Sequence, residues 1–380
     1  MLRRQVTWGV LLGMLAGGIL LVVLNERWES RTPEWVMLSD CDGPIRELVI
    51  QYVADSDPVV GPVYRDFLPQ LPSDVTVHVL CPAQADFDAL AATVGPTGCR
   101  LSPVIAGHPV TAWCRDRWIA LAGADDRVRL LAGPMENGAV VWPARAGDAR
   151  TSDDLAERLP LLAAERAEVL FEGGDFVADA ETVFVAPGLA RRNVEVTLAG
   201  HRDLVLALSQ ILGRRVVLLD EAPDYHAGMF MMLAGGRTAV VGDVAEGQRL
   251  LNLHATPPEG EPLPLCDGSA DFSPAAREQF DAVVRRLVAE GYHVVRTPVV
   301  MGRDCRTFFT YVNVIIDERH GVRTVYLPVY RGQDEMNAAA IAAWRSLGYQ
   351  VRPVDCTSAY ARFGTLRCLV NVLRRGRAPS

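Results

Sequence analysis

The sequence predicts an α/β fold made of tandem βαβ-like units that share one core. From about residue 45 the chain repeats one theme, a helix-like stretch, then a strand-like stretch, then a polar turn. Two late units even share wording, Gly291-Tyr292-His293-Val294 against Gly348-Tyr349-Gln350-Val351, each directly after a helix-like run. Self-similarity with one helix per unit marks a repeated supersecondary module whose copies bury a continuous core together.

The elements follow in order. Glu47–Val53 is strand-like, and Val75–Cys81 is a β-branched run of the kind strands favour. A helix at Ala85–Val94 leads to a strand at Leu101–Ile105, and a helix at Asp153–Glu165 leads to one at Ala167–Phe171. Arg202–Leu212 likewise leads to Arg215–Leu219. Helix Pro274–Glu290 precedes strands at Gly291–Val300 and Tyr311–Ile316, and helix Asp334–Leu347 precedes Gly348–Pro353. Pro257–Pro264 reads as a surface loop. Nothing of low complexity divides this body, so residues 45–375 read as one domain.

Ahead of it, Val6–Leu24 is an uncharged run between Arg3-Arg4 and Asn25-Glu26-Arg27. At about 1.5 Å per residue such a run spans roughly 28 Å, close to the thickness of a bilayer core. No small-x-small cleavage site follows, so residues 1–25 read as an uncleaved signal anchor and 26–44 as a juxtamembrane linker. A cleaved signal is the alternative. The leading arginines favour a cytoplasmic N-terminus and an extracytoplasmic domain on a single-pass membrane protein. Gly9, Gly13 and Gly17 share one helix face, a spacing that predicts dimerisation or simply reflects common membrane-helix glycine.

Composition excludes some partners. The formal net charge is −8, and all 38 basic Lys+Arg residues are arginine with no basic stripe, which argues against nucleic acid. The eight cysteines contain no C-x-x-C and no paired histidines, so no zinc pattern is present.

Four polar motifs interrupt the apolar body: Trp113-Cys114-Arg115-Asp116, Glu172-Gly173-Gly174-Asp175, His226-Ala227-Gly228-Met229-Phe230 and Gly364-Thr365-Leu366-Arg367-Cys368. Together they supply a thiol, an imidazole and carboxylates, a set suited to attack on a guanidinium carbon. A cysteine thiolate is reachable near neutral pH, which makes Cys368 the candidate nucleophile. His226 would protonate departing ammonia and then activate water. Glu172 would orient the imidazole, and Asp116 would receive guanidinium N–H groups. Each residue also has an ordinary reading: a core cysteine, a structural histidine, a turn and a local ion pair.

In this order the motifs resemble those of the guanidine-modifying pentein superfamily, especially agmatine deiminases and bacterial peptidylarginine deiminase-like proteins. Tyr311-Val312-Asn313 with Val325-Tyr326-Leu327-Pro328 resembles the family's penultimate unit. The resemblance implies a five-bladed α/β propeller around one site, with Cys368, His226 and Glu172 catalytic and no cofactor or metal. It places Asp116 on the substrate, with Trp113 and Asp175 as further substrate-binding candidates. The implied substrate is a guanidinium on a small molecule or peptide: agmatine, arginine or peptidyl-arginine. One departure stands out, because Gly228 occupies the position of a second guanidinium-binding aspartate. Asp175, Asp224 and Asp304 are candidate replacements. An amidinotransferase and a non-catalytic binding or scaffold domain remain alternatives.

Overall fold

The computed structural model describes residues 33–134, 145–194, 201–254 and 265–376. The apolar N-terminal run, its three glycines and the predicted loop at 257–264 lie outside the described residues. Among the described residues, no helix is long and apolar enough to cross a membrane.

The chain begins with β1 (Val36–Met37) and then lays down β2 (Ile45–Gln51), α1 (Asp57–Phe67), β3 (Thr76–Cys81), α2 (Gln84–Val94) and β4 (Arg100–Ile105). Next come β5 (Trp118–Ala122), β6 (Val128–Ala132), α3 (Thr151–Arg158) and β7 (Leu162–Arg166). The third group is β8 (Phe176–Ala178), β9 (Thr182–Val185), α4 (Pro187–Val194), α5 (His201–Leu212) and β10 (Arg215–Leu218). The fourth is β11 (Met231–Leu233), β12 (Thr238–Asp243), α6 (Val244–Leu250), α7 (Pro274–Ala289), β13 (His293–Met301) and β14 (Phe308–Thr310). The fifth is β15 (Ile315–Arg319), β16 (Val322–Val329), α8 (Asp334–Ser346) and β17 (Gln350–Asp355), followed by the helical turn α9 (Leu366–Leu369) and β18 (Val370–Arg375).

These strands form five sheets with one recurring plan. A first strand pairs antiparallel with a second, which pairs parallel with a third: β5-β6-β7, β8-β9-β10, β11-β12-β13 and β15-β16-β17. The parallel step requires a crossover, which the helices supply. The remaining sheet is closed by the two chain ends, because β18 pairs antiparallel with β2 while β2, β3 and β4 run parallel.

This plan places the motifs: each follows the last strand of one sheet and stands immediately ahead of the first strand of the next. Asp116 precedes β5, Glu172 precedes β8, His226 precedes β11 and Cys368 precedes β18. The equivalent place before β15 belongs to Asn313.

Four boundaries also differ from expectation. The helix begun at Thr151 stops at Arg158, because Pro160 follows and Leu161 turns to φ 62°. Leu162–Arg166, rich in helix formers, instead pairs parallel with β6, so tertiary pairing overrides propensity, and Ala167–Phe171 is not a strand. The expected strand Tyr311–Ile316 breaks between β14 and β15, and the break carries Asn313. Finally, the folded body starts before residue 45: β1 pairs with β5, and Asp40 pairs with the buried Arg367.

Candidate active site

Ahead of β18, the turn of α9 puts Cys368 at the edge of a cavity of about 900 Å³, where its residue is 4% exposed. The same cavity is lined by Asp116, Glu172, His226 and Trp113. Residues from four separate sheet entries thus share one space. Asp175 does not line it; that residue faces a smaller neighbouring cavity of about 280 Å³ with Arg192 and Arg306.

Asn313 ties the turns together. Its Oδ1 accepts from Thr365 Oγ1 at 2.7 Å, Arg367 N at 2.9 Å and Cys368 N at 3.3 Å. Its Nδ2 donates to Gly228 O at 3.0 Å and lies 3.5 Å from Cys368 Sγ. One fully buried amide therefore locks the cysteine turn against the histidine turn, with both ends satisfied.

Opposite it, His226 Nε2 bonds Glu172 Oε2 at 2.8 Å. Tyr225 stacks on the imidazole with ring centroids 4.6 Å apart. Gly174 is required beneath the ring, since a Cβ there would stand 2.4 Å from His226 Nδ1. Burial would lower the imidazole's pKa, but the Cys368 thiol and the Glu172 carboxylate, with Asp116 adding charge, raise it well above the ordinary histidine range. Burial likewise works to raise Glu172, yet the His226 hydrogen bond and charge, with Arg145 and Arg192, hold it well below the usual carboxylate range. The two form a charged pair in which His226 carries the proton.

Asp116 is almost fully buried and paired with Arg145, whose Nη2 donates to its Oδ2. Burial raises the Asp116 carboxyl, the arginine pulls it down, and the nearby Glu172 charge raises it again, leaving it above its ordinary value.

The candidate replacements for the missing carboxylate are engaged elsewhere. Asp175 pairs with Arg192 and accepts from Glu172 N, Asp224 pairs with Arg191, and Asp304 accepts from Arg306 N and Thr307 N. At Gly228, a Cβ would stand 2.7 Å from Nη1 of the buried Arg367. Neither Gly228 nor Arg367 lines the cavity. A side chain at 228 would thus meet an internal arginine rather than open space.

Such an arrangement can attack a planar cationic carbon. It joins a thiol, an imidazole paired with Glu172 on the same cavity, and carboxylates that attract a cation. Among the described residues, no group of His, Cys, Asp and Glu side chains is placed to hold a metal ion. Sequence reasoning left Asn313 without a role and passed over Arg145 and Asp148. Asn313 could have been found by asking which residue stands ahead of the one sheet without a motif, whereas Arg145 carries no local signal.

No family model matches the chain, and no curated protein matches it in sequence. Solved structures do match. A Campylobacter (C. jejuni) agmatine deiminase with substrate bound superposes with a TM-score of 0.66 at 14% identity, over 90% of this chain and 97% of that one. The agmatine deiminase of Enterococcus faecalis gives 0.63 at 12% identity, over 90% and 96%. A Porphyromonas gingivalis protein provisionally described as an arginine deiminase gives 0.63 at 17%, over 91% and 100%. The fold is therefore similar to the α/β architecture of the agmatine deiminases. At these identities it is the fold that is shared.

Proposed function

We propose that this protein is a guanidino-group hydrolase, a deiminase working through a covalent thiouronium on Cys368. The observation that carries this reading is the convergence of Cys368, the His226–Glu172 pair and Asp116 on one cavity. The resemblance of the motifs and the shared fold support it.

In this mechanism the Cys368 thiolate adds to the guanidinium carbon while carboxylates hold the cation. Protonated His226 gives its proton to the departing amine as the C–N bond breaks, releasing ammonia. Neutral His226 then takes a proton from water, which adds to the thiouronium carbon. The C–S bond breaks as the added hydroxyl gives its remaining proton to solvent, returning thiolate and a neutral ureido product. Glu172 stabilises the imidazolium throughout. Asn313 holds the cysteine turn so that thiol and imidazole keep their separation. Agmatine, arginine and peptidyl-arginine each carry the guanidinium that this chemistry needs.

The five sheets form the blades of a propeller in this reading, with the motif turns facing its axis. The N-terminal run anchors the chain as a single span with the catalytic domain outside the cytoplasm, and Gly9, Gly13 and Gly17 offer a face for pairing two anchors. The test is formation of ammonia and ureido product by the full-length protein on agmatine, free arginine and arginine peptides. Product lost in Cys368→Ala supports the reading. Absence of product on every guanidine overturns it in favour of a binding domain, a role favoured by the loss of a carboxylate at Gly228.

A further inference from the structure

The carboxylate best placed to receive a substrate guanidinium already holds one. Arg145 Nη2 donates to Asp116, its Nε stands 3.5 Å from Asp148 Oδ2, and its Nη1 stands 3.9 Å from Glu172 Oε1. Three carboxylates surround one guanidinium in the cavity that also exposes His226 and Cys368. Their pull overcomes the burial of Arg145 and holds it more firmly protonated than an ordinary arginine.

The three acids are not equivalent. Asp148 is fully buried and belongs to the scaffold, accepting from Thr111 N at 2.7 Å, Thr111 Oγ1 at 2.6 Å and Gln51 Nε2 at 3.1 Å. Asp116 and Glu172 belong to the motif turns. Arg145 keeps 24% side-chain exposure, against 2% for Arg367 and 7% for Arg115. Its head group can therefore leave Asp116 for the open cavity without unpacking core, while Asp148 remains beside it as a partner.

We propose that Arg145 is an internal competitor for the guanidinium subsite at Asp116, and that a bound guanidine displaces it. This rests on the deiminase reading of the cavity. An arginine side chain and a substrate guanidinium present the same planar fork of N–H donors to a carboxylate, so one excludes the other. Arg145 then acts as a specificity residue. A bare guanidinium gains only what Arg145 loses and binds weakly. A guanidine carried on a longer body gains further contacts along the cavity wall at Trp113, Val59 and Phe363, and these tip the exchange in its favour.

The test is calorimetric binding of methylguanidinium to the full-length protein and its variants. Arg145→Ala should bind it roughly tenfold to a hundredfold more tightly than the wild type, the worth of one charge-assisted hydrogen bond. Arg145→Lys, which keeps the charge but not the fork, should fall between and serves if the alanine variant unfolds. Asp116→Asn in the Arg145→Ala background should erase the gain. Unchanged or weaker binding in a folded Arg145 variant overturns the proposal, as does absence of binding in every variant. Turnover separates the two readings. The affinity pattern without any ureido product sinks the deiminase and leaves the competition standing, whereas normal turnover with no affinity change sinks the competition alone.

Discussion

Two clusters of arginine and aspartate share this fold in opposite proportion. Around Arg145, three carboxylates face one guanidinium, and two of them, Asp116 and Glu172, line an open cavity. Around Asp40, two guanidinium groups face one carboxylate: Arg367 Nη2 at 2.8 Å and Arg115 Nη2 at 3.4 Å. Arg367 also donates to Phe176 O at 2.8 Å, and Arg115 to Asn371 Oδ1 at 2.9 Å and Gly173 O at 3.1 Å. Both guanidinium groups of the second cluster are thus also bonded to the fold around them. Burial would raise the Asp40 carboxyl, but its two arginines outweigh that and lower it, while burial and the like charge of Arg367 bring Arg115 down to about 10. The lesson is that the same ion pair is scaffold when sealed and binding site when one partner can move. In an acid-rich cluster on a cavity one cation can replace another; in a sealed arginine-rich one it cannot.

The largest test of this contrast is whether the acid-rich cluster serves a reaction. Cys368→Ala is expected to cut turnover by roughly 10⁴-fold or more, read as ureido product per enzyme. Next is Asp40→Ala, which leaves two buried guanidinium groups without their carboxylate. It should cost about 3–5 kcal/mol in urea unfolding. An equal loss from Asp116→Asn would erase the distinction between scaffold and site. That variant is expected instead to raise KM by roughly ten- to a hundredfold, with little change in melting temperature.

The pH profile sharpens the comparison further. His226 has a raised pKa, so the imidazolium needed for the first step persists above the ordinary value of about 6.5 and is lost only as pH rises through the raised one. Glu172→Gln removes a cause of that elevation. The alkaline limb of kcat should therefore move to lower pH, toward the ordinary imidazole value. An unmoved limb would show that another group sets it.

The smallest expected effect is at Gly228. From the motif alone, Gly228→Asp promises to restore a substrate ligand and to preserve or raise turnover. The structure points elsewhere, because the new side chain would meet Arg367 Nη1 at its Cβ, away from the cavity. The new carboxylate should join the Arg367–Asp40 pair, leaving KM for guanidines unimproved. A clear fall in KM would mean that position 228 reaches the cavity after all.

Much of this was legible in the chain itself. Alternation of apolar and polar residues, helix spacing and the repeated Gly-Tyr-x-Val wording are local signals, so element types and the α/β class could be read before any contact was known. The four motifs were legible because each packs reactive residues into a few neighbouring positions. Where local signals conflicted with distant partners they failed: Leu162–Arg166 looks helical until β6 offers it a strand edge. Other features have no local signature at all. Closure of the first sheet by β18 joins two segments far apart in the chain, and the lock at Asn313 depends on the Thr365 hydroxyl and the Arg367 and Gly228 backbones converging. Sequence alone also determined that Gly228 lacks a carboxylate. Only the tertiary structure decided that Arg367 fills the space beside it and that Arg145 sits on Asp116. The physical reason is that a charge's role depends on which opposite charge lies within a few ångströms and on whether water or protein surrounds the pair, and neither is written in the order of residues.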